Sequence, residues 1–226
     1  MKWDEVGARL DADGYAVLRL LLTAADCATL RDCWKDDALF RKRIVMQRHG
    51  YGQGEYAYFA YPLPPRIAEL RSSLYAALAP VANRWHEAMR IDARFPADHA
   101  AFLERCHRAD QLRPTPLLLK YGDGDYNRLH QDLYGEHVFP LQVTCLLSEP
   151  QIDFGGGEFV LTEQRPRLQS RVEVVPLSRG DAVVFAVNQR PAKGARGVHR
   201  VKMRHGVSRL RGGERYALGI IFHDAA

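Results

Sequence analysis

Nowhere does this 226-residue sequence hold an apolar run of the roughly 18 residues that a membrane-spanning helix needs, so no membrane partner is expected. The opening MKWDEVGARLDADGY carries acids early and has no apolar stretch of the kind a secretory signal requires. The following AVLRLLL is too short and too polar to change that reading. Cysteine is scarce, four residues in all. Cys27, Cys33, Cys106 and Cys145 form no CxxC pair, which argues against a zinc knuckle. Reduced thiols and a cytoplasmic location are therefore expected, and Cys145, set in an apolar run, reads as a small core residue. Repeats, low-complexity tracts and linkers are absent too, which excludes solenoids and tethered modules. Neither charge sign dominates: 32 Lys and Arg face 27 Asp and Glu, a net charge of +5. That surplus permits an anionic partner such as nucleic acid, but one so small better suits an ordinary solvated surface.

What is present is the composition of a globular domain, 46% apolar and 26% charged. One domain over 1–226 is expected, with 1–114 as helical support and lid region and 115–226 as core. Residues 3–11, 23–40, 65–90 and 97–109 carry helical patterns. Thr23 or Asp26 is placed to cap the second, and Pro80 leaves open whether the third is one helix or two. GYAVLRLL reads as a strand between the first two. From Pro116 onward eight short apolar runs follow, most of them bounded by Gly, Asp, Pro or Ser: PLLLKYG, NRLHQDLY, LQVTCLL, GEFVLT, RVEVVPL, DAVVFAV, VKMRHGV and RYALGIIF. Eight strands behind a helical preface predict an α+β fold, a double-stranded β-helix (jelly roll) with N-terminal helices packed on one sheet. The pattern alone does not separate it from other sandwich topologies.

The sharpest local signal is His130-Gln131-Asp132. In a strand, residues i and i+2 project to the same side, so one imidazole and one carboxylate converge. Such a pair supplies two corners of a 2-His-1-carboxylate facial triad. A third ligand from a later strand is needed, and His199 and His205 both lie in the penultimate β segment. Arg215 follows His205 by ten residues, room for a strand, a turn at Gly212-Gly213 and a return on the antiparallel neighbour. His199 has no comparable arrangement, which favours His205. Gly155-Gly156-Gly157 after Asp153 resembles a phosphate loop only superficially, since no helix follows. A strand-entry turn accounts for it better, with Glu158 structural.

HQD, the distant HGV and the trailing GERYALGIIF together resemble the 2-oxoglutarate and iron(II)-dependent oxygenase superfamily, in its prolyl-hydroxylase-like branch, over about residues 115–224. Over nearly its full length the chain also resembles a bacterial oxygenase family described as acting on damaged nucleic acid. GEYAYFAYPLP, RPTPLLLKYGDGDYNRLHQDLYGE, FGGGEFVLTEQRPR and RHGVSRLRGGERYALGIIFHDA carry that likeness. The resemblance implies iron(II) on His130, Asp132 and His205, with O2 and 2-oxoglutarate as co-substrates and ascorbate as a supporting reductant. It implies Arg215 on the distal carboxylate of 2-oxoglutarate, a role suited to the guanidinium fork. Tyr121 is either a hydrogen-bond partner of the co-substrate or a core tyrosine near a turn. Prolyl hydroxylases of the animal type carry a second co-substrate tyrosine where this chain has Ser148 or its neighbours, so Thr144 or Gln142 is left to make that contact. The implied reaction yields succinate and CO2 and hydroxylates a substrate carbon. On an N-methyl group that amounts to demethylation.

The substrate lid is expected in residues 40–61. There Arg41, Lys42, Arg43 and Arg48 mix with Tyr51, Tyr56, Tyr58, Phe59 and Tyr61. Cations suit phosphates and rings suit bases, although the same rings also fit a hairpin packed on the core. A second basic stretch, Arg190 to Arg211, surrounds the proposed metal strand. An oxygenase acting on alkylated nucleic acid, with a link to DNA repair, is the leading expectation. The alternatives are a prolyl-type peptide hydroxylase and a non-catalytic jelly-roll binding module.

Overall fold

A computed structural model describes residues 2–194 and 197–226. Among these residues there are four α-helices: α1 (Trp3–Asp13), α2 (Ala24–Asp32), α3 (Pro65–Ala88) and α4 (His99–Arg108). The early strands are β1 (Tyr15–Leu18), β2 (Phe40–Val45), β3 (Gly52–Gln53) and β4 (Glu55–Phe59). Then come β5 (Leu117–Tyr121), β6 (Tyr126–His130), β7 (Leu141–Leu146), β8 (Phe154–Gly156), β9 (Phe159–Gln164) and β10 (Arg171–Val175). The last are β11 (Ala182–Ala186), β12 (Gln189–Gly194), β13 (Gly197–Val207), β14 (Leu210–Gly213) and β15 (Arg215–Ile220). No helix among the described residues is long and apolar enough to cross a membrane.

The strands form two main antiparallel sheets. The larger runs β1-β11-β7-β15-β5-β4-β2, and the smaller runs β10-β9-β13-β6-β3 with β12 beside β13. β7, β11 and β15 are buried along their whole length, which is why each reads as an unbroken apolar run rather than an alternation. One of their faces meets the helices: Leu70, Leu74, Tyr75 and Leu78 of α3 share a core with Val143, Cys145, Val183 and Leu218. The other face meets the smaller sheet, where Phe159 and Phe185 lie 5.1 Å apart. This is the jelly-roll sandwich with helices on one sheet.

Local chemistry sets the element ends. Thr23 and Asp26 cap α2 reciprocally: the Asp26 amide donates to Thr23 Oγ1 at 3.1 Å and the Thr23 amide to Asp26 Oδ2 at 3.0 Å. α2 stops at Asp32, short of the expected residue 40. Two 3-10 turns follow, Cys33–Lys35 and Asp37–Leu39. Asp36, extended, accepts from the Ala38 amide at 3.0 Å and so competes with a continuing helix. α3 runs unbroken through Pro80. The missing bond to the Ala76 carbonyl is outweighed by a buried face that includes Leu78, Val81 and Trp85. β2 and β4 pair as a hairpin that extends the larger sheet, and β1 and β3 add further strands from the first half of the chain.

Asp224 ties the end of β15 to the helices. Its carboxylate accepts from Arg71 Nη2 at 2.8 Å, from the Tyr61 hydroxyl at 2.9 Å, and contacts His107 Nε2 at 2.9 Å. Burial opposes its ionisation, but Arg71 and these hydrogen bonds outweigh it and hold the carboxyl below the ordinary 3.8. Asp224→Asn is expected to cost about 3 kcal/mol at neutral pH, because the buried Arg71 loses its counter-charge. The native carboxylate's contribution is fully present above its unfolded pKa and is lost as pH falls through the lower folded pKa. Urea denaturation of both proteins from neutral pH to below about pH 4 should show the variant's stability falling less steeply in that acid window.

Candidate active site

β13 and β6 are antiparallel neighbours, and His205 stands directly opposite His130. Opposed residues on one face of such a pair project side by side; here the ring centroids are 4.2 Å apart. Asp132 lies two residues past the end of β6, in the loop that leads to β7. Strand alternation therefore does not aim it, contrary to the i, i+2 argument. Its Oδ1 is 3.6 Å from His130 Nε2 and its Oδ2 is 3.4 Å from His205 Nε2. One ligand atom from each of the three lies within 4.8 Å of the others. His199 sits farther along β13, opposite Ala192, outside this cluster.

Electrostatics and burial both shape the cluster. Asp132 and His205 are buried, at 7% and 6% exposure. Burial pushes the Asp132 carboxyl up, but the hydrogen bond and charge of His205, the His130 charge and the Tyr134 hydroxyl hold it well below the usual carboxylate range. Burial lowers the His205 pKa, and His130 adds to that while Asp132 opposes it. His205 is thus pressed toward the neutral, ligating form beside an ionised carboxylate. A small octahedral cation with bonds of about 2.1 Å holds adjacent donors about 3 Å apart, and the two carboxylate–imidazole separations, 3.6 and 3.4 Å, are close to that spacing. Two imidazoles and one carboxylate are the donor set of non-haem ferrous sites. His205 Nδ1 is buried without a partner.

The cluster opens into a cavity of about 580 Å³ between the two sheets. Its floor is the inner face of the larger sheet, with Ala217 and Gly219 of β15 flanked by Leu117 and Leu119 of β5. Arg215 also lines it, on β15 opposite Tyr121 of β5. The expected return of the chain onto a neighbour of β13 does not occur. β13 belongs to the smaller sheet and β15 to the larger, and between them β14 pairs with β8. Arg215 faces the metal cluster from across the sandwich. Its guanidinium is 1% exposed, makes no ion pair among the described residues, and leaves Nε without a hydrogen-bond acceptor. Gly157 (φ +63°) permits this placement: a Cβ there would lie 2.7 Å from Leu210 and 3.1 Å from Arg215 Cδ. The triple glycine is thus strand-entry backbone, as expected, and Glu158 bonds Ser208.

Tyr121 is fully buried on the cavity wall, accepts from Asn127 Nδ2 at 3.4 Å, and burial raises its phenol to about 12. Gln142 and Thr144 line the cavity, and Gln142 Oε1 is buried without a partner. Ser148 instead accepts from the Tyr216 amide at 2.8 Å. Of the 40–61 aromatics, Tyr51, Tyr56 and Tyr58 line the cavity; Phe59 is in the core, and Tyr61 bonds Asp224. Arg41 lies 4.5 Å over the Tyr58 ring and donates to the Pro114 carbonyl, whereas Arg43 is held by Asp37 and Trp34. Among its described residues the 190–211 basic stretch supplies no Lys or Arg to the cavity, and Arg190 is buried on Glu163; Arg196 lies outside the described residues. Tyr134 went unpredicted. Its hydroxyl donates to Asp132 Oδ1 at 2.7 Å, and its only sequence signal is its position two residues after Asp132.

A family model described as Oxygenase-NA, an oxygenase catalysing oxidative methylation of damaged DNA, matches residues 54–225. An uncharacterised protein of Mycobacterium tuberculosis is 49% identical over 194 residues, covering 84% of this chain and 83% of the relative. Among solved structures, a Pseudomonas putida prolyl-4-hydroxylase is similar over 100% of both chains, with 16% identity and a TM-score of 0.58. A 2-oxoglutarate–Fe(II) oxygenase family oxidoreductase of Burkholderia pseudomallei is similar over 100% of this chain and 93% of its own, with 15% identity and a TM-score of 0.57. At those identities the structures speak for a shared fold.

His205→Ala is expected to abolish tight binding of Co(II) or Mn(II), measured by calorimetric titration, while His199→Ala keeps it. The opposite pattern would move the third ligand to His199.

Proposed function

The chain belongs to the oxygenase family described as catalysing oxidative methylation of damaged DNA, and from that premise we propose that it is an Fe(II)- and 2-oxoglutarate-dependent dioxygenase that oxidatively demethylates damaged nucleic acid. The carrying observation is that a buried, unpaired guanidinium and a His-Asp-His cluster open into one cavity. An uncompensated buried charge costs several kcal/mol, a poor feature for a purely structural jelly roll. A dicarboxylate with one end at the cluster and the other on Arg215 removes that cost through a bidentate, charge-assisted pair.

His130, Asp132 and His205 are the residues to hold the ferrous ion, which supplies the O2 chemistry. The protein's own residues bind, orient and exclude water. Arg215 fixes the distal carboxylate, with the Tyr121 hydroxyl on the same wall. Gln142 and Thr144 offer unspent polar groups elsewhere in the cavity. Leu117, Leu119, Ala217 and Phe159 keep its walls dry. Oxygen insertion into an N-methyl C–H bond gives a hydroxymethyl group that departs as formaldehyde. The direction proposed is therefore removal of methyl groups, despite the wording of the family description.

The nucleic-acid assignment rests on charge. Lys42, Arg113 and Arg128 are exposed on the cavity lining and Arg41 is half-buried there, while Asp132 is the only Asp or Glu side chain among the described lining residues. Tyr51, stacked on His49 at 5.4 Å, and Tyr56 add ring surface. With Asp132 and His205 so deeply buried, a duplex base must leave its stack to reach the cluster.

Arg215→Ala is expected to weaken 2-oxoglutarate binding, titrated on the Mn(II)-loaded protein, by more than about 2 kcal/mol. Methylated single-stranded oligonucleotides should stimulate succinate release and yield formaldehyde in equal amount. Their binding, followed by fluorescence anisotropy, should weaken steeply with salt, with Lys42→Ala and Arg128→Ala each lowering the log–log slope by about one. No binding at low salt would discard nucleic acid as the substrate and leave a peptide side chain.

A further inference from the structure

Asp132 differs from the two imidazoles beside it in one respect: no β ladder fixes it. The chain leaves β6 at His130 and does not enter β7 until Leu141. A carboxylate on such a loop can present one oxygen to a metal ion or both. The difference matters to this site. Three protein donors leave three positions on a six-coordinate ion, two for a chelating keto acid and one for O2. A carboxylate that binds through both oxygens takes one of those positions.

The loop is held by two residues that neither the sequence motifs nor the family description assigns. Tyr134 donates its hydroxyl to Asp132 Oδ1 at 2.7 Å, the oxygen 3.6 Å from His130 Nε2, and Oδ2 faces His205 Nε2 at 3.4 Å. The Tyr134 ring is itself located by an edge-on contact with Tyr58, 6.4 Å between centroids. Its backbone is located by Gln111, which is fully buried at the end of the segment after α4. The Gln111 amide donates to the carbonyls of Tyr134 at 3.1 Å, His137 at 3.2 Å and Asp224 at 2.5 Å. Its Oε1 accepts from the His137 amide at 2.7 Å. Every polar atom of that side chain is thus spent on the loop and on the end of the larger sheet. Between the two loop carbonyls, Gly135 has φ +101°, and a Cβ there would fall 2.5 Å from Gln111 Cδ. The loop closes over the amide only because residue 135 has no side chain.

We propose that Tyr134 and Gln111 are positioning residues that set the coordination mode of Asp132. Tyr134 occupies Oδ1 so that the carboxylate serves the metal through Oδ2 alone, and Gln111 holds Tyr134 where it can do so. This rests on the reading of His130, Asp132 and His205 as metal ligands. Partners that orient ligands in this way typically change metal affinity by about 10–100-fold when removed.

The test uses Co(II), whose affinity is read by calorimetric titration and whose coordination is read from its visible absorption. The full chain is compared with Tyr134→Phe, with Gly135→Ala, which drives a methyl group into Gln111, and with the double variant. Tyr134→Phe removes one oxygen atom, so its thermal melting point is expected to stay near wild type while Co(II) affinity falls about tenfold and the absorption spectrum changes. Gly135→Ala is expected to lower Co(II) affinity in the wild-type background and to add almost nothing to Tyr134→Phe, because both act through one hydrogen bond. A variant that perturbs folding alone would shift the melting point without that non-additivity. Wild-type affinity and spectrum in Tyr134→Phe would overturn the inference, as would equal and additive losses from the two substitutions. If the wild-type chain binds no Co(II), the metal-site reading fails, and the inference falls with it.

Discussion

The pairing of His130 with His205 across β6 and β13 is the constraint on which the site depends. Directly opposed positions on an antiparallel pair are the shortest route by which residues 75 apart in sequence can face one point. Register does the work, because a slip of one residue would send His205 to the other face of the sheet. The register is secured from both sides. β9 pairs with β13 along six residues, from Lys202 to Val207. Gln131, the middle residue of the motif, turns away from the cluster and donates to Asn188 Oδ1 and the Met203 carbonyl, both at 2.8 Å. The residue between the two candidate ligands is thus a brace for the strand that carries the third.

The larger sheet answers this arrangement from the opposite side. Its inner face carries small residues where room is needed, Ala217 and Gly219, and large ones where a wall is needed, Leu117, Leu119, Tyr56 and Tyr58. Cross-strand register places Tyr58 beside Leu117 and Tyr56 beside Leu119, so the hairpin of β2 and β4 continues the same surface outward to Lys42. The region expected to be a lid is therefore both things the sequence allowed. It is a hairpin packed on the core, and its inward residues are the outer wall of the cavity.

Much of this was legible because period and spacing survive in sequence. The eight apolar runs, the helix at 65–90, the HxD pair and the distance from His205 to Arg215 are all local or one-dimensional signals. What escaped depends on contacts that the chain makes with distant partners. The path from His205 to Arg215 suggested a hairpin, whereas β14 carries the chain from one sheet to the other and brings the guanidinium in from across the sandwich. β8, β12 and β14 were missed because short Gly- and Arg-containing segments lack apolar alternation and are strands only by virtue of their neighbours. Gln111 lies 23 residues before Tyr134, with no motif linking them. Arg43 and Phe59 fell within a stretch whose composition is right for ligand contact, but alternation along β2 and β4 turns them away from the cavity.

Where the unsatisfied groups lie is the most telling feature of the energetics. Folded proteins pair nearly all of their buried polar atoms, and this one does so around Asp224, Glu163 and Asp181 with several bonds each. Among the described residues that leave a buried polar atom without a partner, Gln142, His205 and Arg215 line the same cavity, while Arg66, Arg190 and His223 lie outside it. A core that tolerates a bare guanidinium beside an unspent amide and imidazole gives up stability that a few apolar substitutions could recover. The guanidinium has a chemical complement in an anion, and the His205 Nε2 and Asp132 carboxylate side has one in a cation. An anionic chelator bound to that cation supplies both at once. Binding either component to the folded chain raises its stability by mass action, so the cost borne by the free protein reappears as affinity for what fills the site.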